Sequence, residues 1–267
     1  MKRVLSSIII VPTVFAVFVY GNKYVVDCFI SIIAMRCIYE LFNAFKQKGF
    51  HPVETLGYLA ALSICFLHVF SREYILLLIG AILILTIVIS FILIITKKTK
   101  TDVADVAITF FSVCYIVIFL MFVPVLCVNI ENGRWLVWYI FIAAWSTDVT
   151  AYEVGRSIGK HHFTEISPKK TIEGCIGGVI GSVIGIMLYT IFLNRFANLE
   201  INYIITVFAA IFLSIIGQVG DLAASAIKRY VGIKDFSNLI PGHGGMLDRI
   251  DSLIFIAPFV YFLFVLI

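Results

Sequence analysis

Residues 74–95 read YILLLIGAILILTIVISFILII, a run with no Asp, Glu, Lys or Arg in it. As a helix rising 1.5 Å per residue, such a run is long enough to cross the roughly 30 Å hydrocarbon core of a bilayer. Working outward from it, apolar runs recur at 4–20, 24–45, 55–70, 106–128, 135–155, 172–194, 203–229 and 251–267, nine in all with the first. Across 267 residues, 61% are hydrophobic and 13% charged, with a mean hydropathy of +1.07. Soluble domains carry about a quarter charged residues. A membrane barrel would show short alternating segments instead. The expected fold is therefore all-α, a polytopic transmembrane bundle of about nine helices. With no repeat or linker, residues 1–267 are expected to form a single integral membrane domain, with 1–140 as apolar scaffold and 141–267 as catalytic helices and loops. Residues 1–20 have a basic start and an apolar centre, as in a signal peptide, and are taken as a retained first helix.

The basic residues orient the bundle. With the N-terminus in the cytoplasm, fifteen of the twenty Lys and Arg fall on the cytoplasmic side, four fall opposite, and Arg36 lies within a span. The polar loops 156–171 and 230–250 then both face the cytoplasm. The six cysteines show no CxxC or CxxH spacing, and their place in apolar runs makes them small hydrophobes rather than disulfides or a metal site.

Polar chemistry is concentrated in residues 225–251, SAIKRYVGIKDFSNLIPGHGGMLDRID. The preceding apolar run contributes Asp221. Gly217, Asp221, Ser225 and Lys228 share one helical face. Asp221 lies seven residues before Lys228, roughly 10 Å deeper at the helical rise. A carboxylate at that depth faces a wet cavity, an ion or a counter-charge, and an interhelical salt bridge is the plain alternative. Asp248 and Asp251 are spaced i, i+3 at the start of the last helix, where capping accounts for one of them. Mg²⁺ takes one or two carboxylates together with phosphate oxygens and water, so Asp221 with Asp248 or Asp251 is the expected metal pair. The turn at 241–245, Pro-Gly-His-Gly-Gly, would let backbone amides approach an anion.

The second loop carries related features. Asp148 and Tyr152 share a face near the end of the sixth span. Ser167-Pro168-Lys169-Lys170 has the form of an N-cap, a first-position proline and two lysines in a first helical turn, where a bound phosphate would offset the unfavourable dipole. Headgroup-facing lysines are the alternative. His161 and His162 have no ligand-spaced partner. The glycines at 174, 177, 178, 181 and 185 mark a tight helix contact, within the chain or between protomers. Arg36 and Glu40, spaced i, i+4, are taken as an intrahelical pair that supports the bundle.

Residues 225–251 resemble the signature of the phosphatidate cytidylyltransferase (CDP-diacylglycerol synthase) family, S-x-x-K-R, four residues, K-D, then P-x-H-G-G-x-x-D-R-x-D. The chain meets it with Ser225, Lys228, Arg229, Lys234, Asp235, Pro241, His243, Gly244, Gly245, Asp248, Arg249 and Asp251. The resemblance extends to Gly220-Asp221-Leu222, Asp148-x-x-Ala151-Tyr152 and the run from Ser167 to Gly174, and covers 145–254. Two departures stand out. Ala224 replaces a Glu present in many members, and Lys234-Asp235-Phe236-Ser237 replaces K-D-S-G.

The resemblance implies an Mg²⁺-dependent reaction of CTP with phosphatidic acid that yields CDP-diacylglycerol and pyrophosphate. A homodimer in the inner (cytoplasmic) membrane is implied, with no nucleic-acid partner. It implies catalytic roles for Asp221, Asp248, Asp251, Lys228 and Arg229. The first three would be metal ligands, and a second ion could be shared with Asp251 or Asp148. Asp148, Lys169, Lys170, Ser225, Lys234, Asp235, His243, Gly244, Gly245 and Arg249 would contact substrate. Other CTP-using lipid enzymes, such as polyprenol kinases or archaeal-lipid cytidylyltransferases, share the polar-loop logic but would not be expected to keep the whole signature. A CDP-alcohol phosphotransferase would need a D-G run, which this chain lacks. A transporter would place its polar groups nearer midplane.

Overall fold

Each apolar run of the sequence becomes helix. The computed structural model describes residues 2–69, 74–96, 100–239 and 244–266, with side chains from residue 11 onward. The helices are α1 (Lys2–Tyr20), α2 (Lys23–Lys46), α3 (Glu54–Ser63), α4 (Ile75–Ile95), α5 (Val103–Ser112), α6 (Phe119–Asn129), the single turn α7 (Gly133–Leu136), α8 (Trp138–Ile158), α9 (Ile172–Phe196), α10 (Tyr203–Val231) and α11 (Leu247–Leu266). No strand occurs among the described residues. A π-helical stretch, Val113–Ile118, joins α5 to α6 into one continuous rod, Val103–Asn129. That rod and α4, α9, α10 and α11 are the five helices long and apolar enough to cross a membrane by themselves, among the described residues. The other expected spans correspond to α1, α2, α3 and α8. Of these, α3 is short and α2 carries Asp27, Arg36 and Glu40. The chain is an all-α, multi-pass membrane bundle.

Helices α2 and α5 begin at side-chain caps. Asn22 accepts the Val25 amide at the start of α2, and Asp102 and Asp105 form a reciprocal capping box at α5. On α4 the hydroxyls of Thr86 and Ser90 donate to the carbonyls four residues earlier, at 2.7 and 2.6 Å.

The chain divides into two compact units, Met1–Asn129 with Tyr230–Ile250, and Ile130–Arg229 with Asp251–Ile267. The first is built around α2, whose Ala34, Cys37, Ile38, Leu41 and Phe42 are wholly buried. The Phe42 ring lies where a side chain on Gly57 of α3 would stand, and the Ser31 hydroxyl donates to Ala61 O at 2.8 Å. Asp27, His68 and Asn129 make a buried polar chain in this unit. His68 meets Asp27 Oδ1 at 2.7 Å through Nδ1 and Asn129 Oδ1 at 2.8 Å through Nε2, and its amide donates to Asp27 Oδ2. Segment 230–250, most of the signature, belongs to this unit.

The second unit is organised by α8 against α9. A Cβ added to Gly181 would stand 2.1 Å from Thr150 Oγ1, one on Gly177 would meet Val154, and one on Gly178 would meet Thr147. The glycine face of α9 thus packs within the chain, which settles one of the two readings of that spacing. Tyr139 is buried beside them, its hydroxyl 2.6 Å from Thr190 Oγ1 and its ring edge-on to Phe264.

Candidate active site

In the second unit, charged side chains from α8, α10, α11 and one loop come together. The ammonium of Lys170 pairs with Asp221 Oδ2 at 2.5 Å. Asp251 is buried, and Asp221, Asp148 and Lys228 stand near enough to act on it electrostatically. Gly220 makes room for this. A Cβ there would lie 2.8 Å from the Asp251 carbonyl oxygen, so the smallest residue permits α10 and α11 to meet beside Asp221. Ser225, one turn after Asp221, and Lys228 are half-buried, whereas Arg229 is exposed and donates from Nε to Ile166 O at 3.4 Å. Three carboxylates and two lysines make a mixed-charge cluster at this place.

The loop that delivers Lys170 corrects the expected helix start. Ser167–Lys170 is a turn, closed by Lys170 N donating to Ser167 O at 3.0 Å, and α9 begins only at Ile172. The N-cap is Thr171, in extended backbone, whose hydroxyl oxygen accepts the Gly174 amide. Lys169 and Lys170 precede the helix and lie outside its first turn. The first-turn residue is Glu173, which the dipole favours. Glu173 also accepts the Lys160 and His161 amides and pairs with His161 Nδ1 at 2.6 Å. His162 Nδ1 lies 2.8 Å from Pro168 O. Both histidines therefore brace the loop. Lys169 is exposed.

In the first unit the signature loop is gripped by two carboxylates. Asp248 Oδ2 accepts the amides of Phe236 at 2.8 Å and Gly245 at 2.9 Å. Glu40, from α2, accepts the Ser237 hydroxyl at 2.7 Å, the Met246 amide at 3.0 Å and the Leu247 amide at 2.9 Å. Arg36 Nε supplies the counter-charge at 3.1 Å. Gly244 has φ +87°, a region other residues avoid. Gly245 has no room for a side chain, because a Cβ would lie 2.5 Å from Glu40 Oε2. The anion its backbone approaches is thus the protein's own carboxylate. Lys234, Asp235 and Arg249 are exposed on this loop, and Pro241, Gly242 and His243 lie outside the described residues.

Glu40 is the residue that sequence reasoning missed. The i, i+4 spacing accounts for Arg36 alone. The contact with residues some 200 positions away has no local signal. Phe236 is buried with its amide on Asp248, and the hydroxyl of this loop sits one position later, on Ser237.

Among the described residues, no group of three or more His, Cys, Asp and Glu side chains has the spacing of a preformed metal cage.

The profile of the cytidylyltransferase family matches residues 1–267. The chain belongs to that family. Its relatives include proteins named phosphatidate cytidylyltransferase. That of Bacillus subtilis is 39% identical over 137 residues, 51% of this chain and 49% of that protein. That of Staphylococcus haemolyticus is 35% identical over 183 residues, 67% of this chain and 68% of that protein. That of Staphylococcus aureus is 34% identical over 170 residues, 63% of each. The chain thus matches about half the length of the Bacillus relative and about two-thirds of the staphylococcal ones.

Proposed function

We propose that this member of the cytidylyltransferase family is a phosphatidate cytidylyltransferase, which transfers CMP from CTP to phosphatidic acid and releases pyrophosphate. The observation that carries the reading is the Lys170–Asp221 pair beside Asp251 and Lys228, set in a membrane bundle that also bears the whole signature.

A phosphate oxygen of the lipid forms a bond to the α-phosphorus of CTP, and the bond from that phosphorus to the β-bridging oxygen breaks. The nucleophile is already anionic, so no strong base is required. The demand on the protein is to hold two polyanions together in line, which is positioning and charge compensation. Lys170, Lys228 and Arg229 are the cations we assign to phosphate oxygens, joined by Lys169 at the loop edge. In this scheme Lys170 leaves Asp221 for phosphate on substrate binding, so the ion pair is its resting arrangement.

The donor set of the second unit fits Mg²⁺, since Asp221, Asp251 and Asp148 offer the hard carboxylate oxygens that this ion takes. Asp221 and Asp251 would hold the ion, with Asp148 available for a second. Bound there, Mg²⁺ would offset the charge on the triphosphate and on the departing pyrophosphate. Asp248 we assign first to holding the signature loop, through its two amide contacts, and Ser225, Lys234, Asp235, His243 and Arg249 to substrate contacts. The working form we propose is a homodimer in the cytoplasmic membrane, with both polar loops on the cytoplasmic face, as the fifteen-to-four bias of basic residues supports.

The test is pyrophosphate release by the purified protein in detergent with CTP, phosphatidate and Mg²⁺. Release should require all three. No release, or release indifferent to phosphatidate, would overturn the reading.

A further inference from the structure

We infer that Glu40 is a positioning residue of the catalytic cycle. It presets the signature loop before any substrate arrives, and the inference rests on the activity proposed above. The argument starts from burial. The Glu40 side chain is wholly inaccessible, on a helix whose buried face is mostly apolar. A buried carboxylate is expensive unless fully partnered. This one has four donors: Arg36 Nε, the Ser237 hydroxyl, and the amides of Met246 and Leu247. Only Arg36 belongs to α2. The other three come from the signature loop and the first residue of α11.

Those three lie on both arms of the loop. Ser237 is on the incoming arm, and Met246 and Leu247 are on the outgoing arm. Asp248 repeats the pattern one step along, with Phe236 from the first arm and Gly245 from the second. Three consecutive amides, 245 to 247, are thus shared between two carboxylates, each of which also takes a donor from 236–237. The two clamps set the spacing of the arms that present Lys234, Asp235 and Arg249. Gly245 belongs to the same device, since only glycine lets the backbone come this close to Glu40. The carboxylate also sits at the N-terminus of α11, where the helix dipole favours negative charge. An intrahelical ion pair alone would need none of this.

Remote misplacement of about 1 Å can cost a hundredfold in rate. E40Q keeps the shape but offers a single acceptor oxygen and no charge. We expect kcat/KM for CTP to fall about 100-fold, with E40D recovering part of the loss. Exchange of amide hydrogens in a peptide spanning 236–248 should become faster in substrate-free E40Q, while exchange in α9 stays near wild type. Turnover of E40Q within threefold of wild type would overturn the inference. So would a loss that merely tracks the unfolded fraction, with full specific activity in what remains folded. If E40Q does not fold, S237A decides, since it removes one clamp donor at a half-buried position. About a tenfold fall in kcat/KM, within the range for lost positioning, with faster exchange at 236–248 would support the inference, and wild-type kinetics would overturn it. Wild-type protein without phosphatidate-dependent turnover would instead overturn the activity, and the exchange measurement alone would then judge the clamp.

Discussion

Asp221 pairs with Lys170 across a sequence distance that no local pattern encodes, and this pair sets the sharpest residue-scale expectation. Asp221→Asn should abolish pyrophosphate release, as should Asp251→Asn, while the protein remains extractable and monodisperse. Near wild-type turnover by either variant at saturating Mg²⁺ would remove that residue from the proposed metal pair. Lys170→Met should raise the KM for CTP by about tenfold or more, the loss of one charge-assisted contact. Elsewhere, a single residue carries stability and not chemistry. His68→Ala would strand the wholly buried Asp27 without its imidazole partner. The expected loss is about 3–5 kcal/mol, the typical result of removing one member of a buried pair, read as a lowered midpoint of thermal unfolding in detergent.

At the scale of elements, α8 and α9 pack through glycine. Lipid gives helices little hydrophobic reason to associate, so close backbone approach and dispersion hold them together. Gly181 faces Thr150 with no space for even a methyl group. Gly181→Leu should therefore part the helices and destabilise the protein by at least about 1–3 kcal/mol, the usual range for overpacking, with turnover falling as Asp148 on α8 loses its place. A Gly49→Ala control has open space around it, though its φ of +91° adds some backbone strain, so it should unfold closer to wild type. The start of α9 gives a milder case. Thr171→Val removes the cap on Gly174 and should cost about 1 kcal/mol, measured by the same unfolding curve.

For the whole molecule, the charge bias predicts which loops meet the cytoplasm. In a background without native cysteines, Ser167→Cys and Asn238→Cys should react with a membrane-impermeant maleimide only after the inner face is exposed, and Asn198→Cys in intact cells. The reverse pattern would invert the topology. Two compact units divide the chain. The first unit, which holds most of the N-terminal helices, also holds the signature loop through Glu40 and supports it directly.

Much of this was legible from composition and spacing. A twenty-residue apolar run can satisfy its backbone in lipid only as a helix, so every expected span at 4–20 through 251–267 meets a helix in the structure. The dense carboxylates and lysines of 225–251, with Asp221 before them, were equally plain, because charge in an apolar chain needs a reason. What the sequence could not place was each group's partner. The turn at 167–170 looked like a helix start because Ser-Pro-Lys-Lys satisfies the local rules, yet Thr171, with its side chain on the Gly174 amide, caps the helix instead. Glycines 244 and 245 looked like a cradle for a substrate anion, and their neighbours are Asp248 and Glu40. Arg36 and Glu40 looked like an ordinary helical pair, since i, i+4 spacing explains one bond of four. Helical periodicity reports which residues share a face, over distances of a few residues. Which face meets which is decided by long-range packing, and only the tertiary structure brings Glu40 to Leu247 and Lys170 to Asp221.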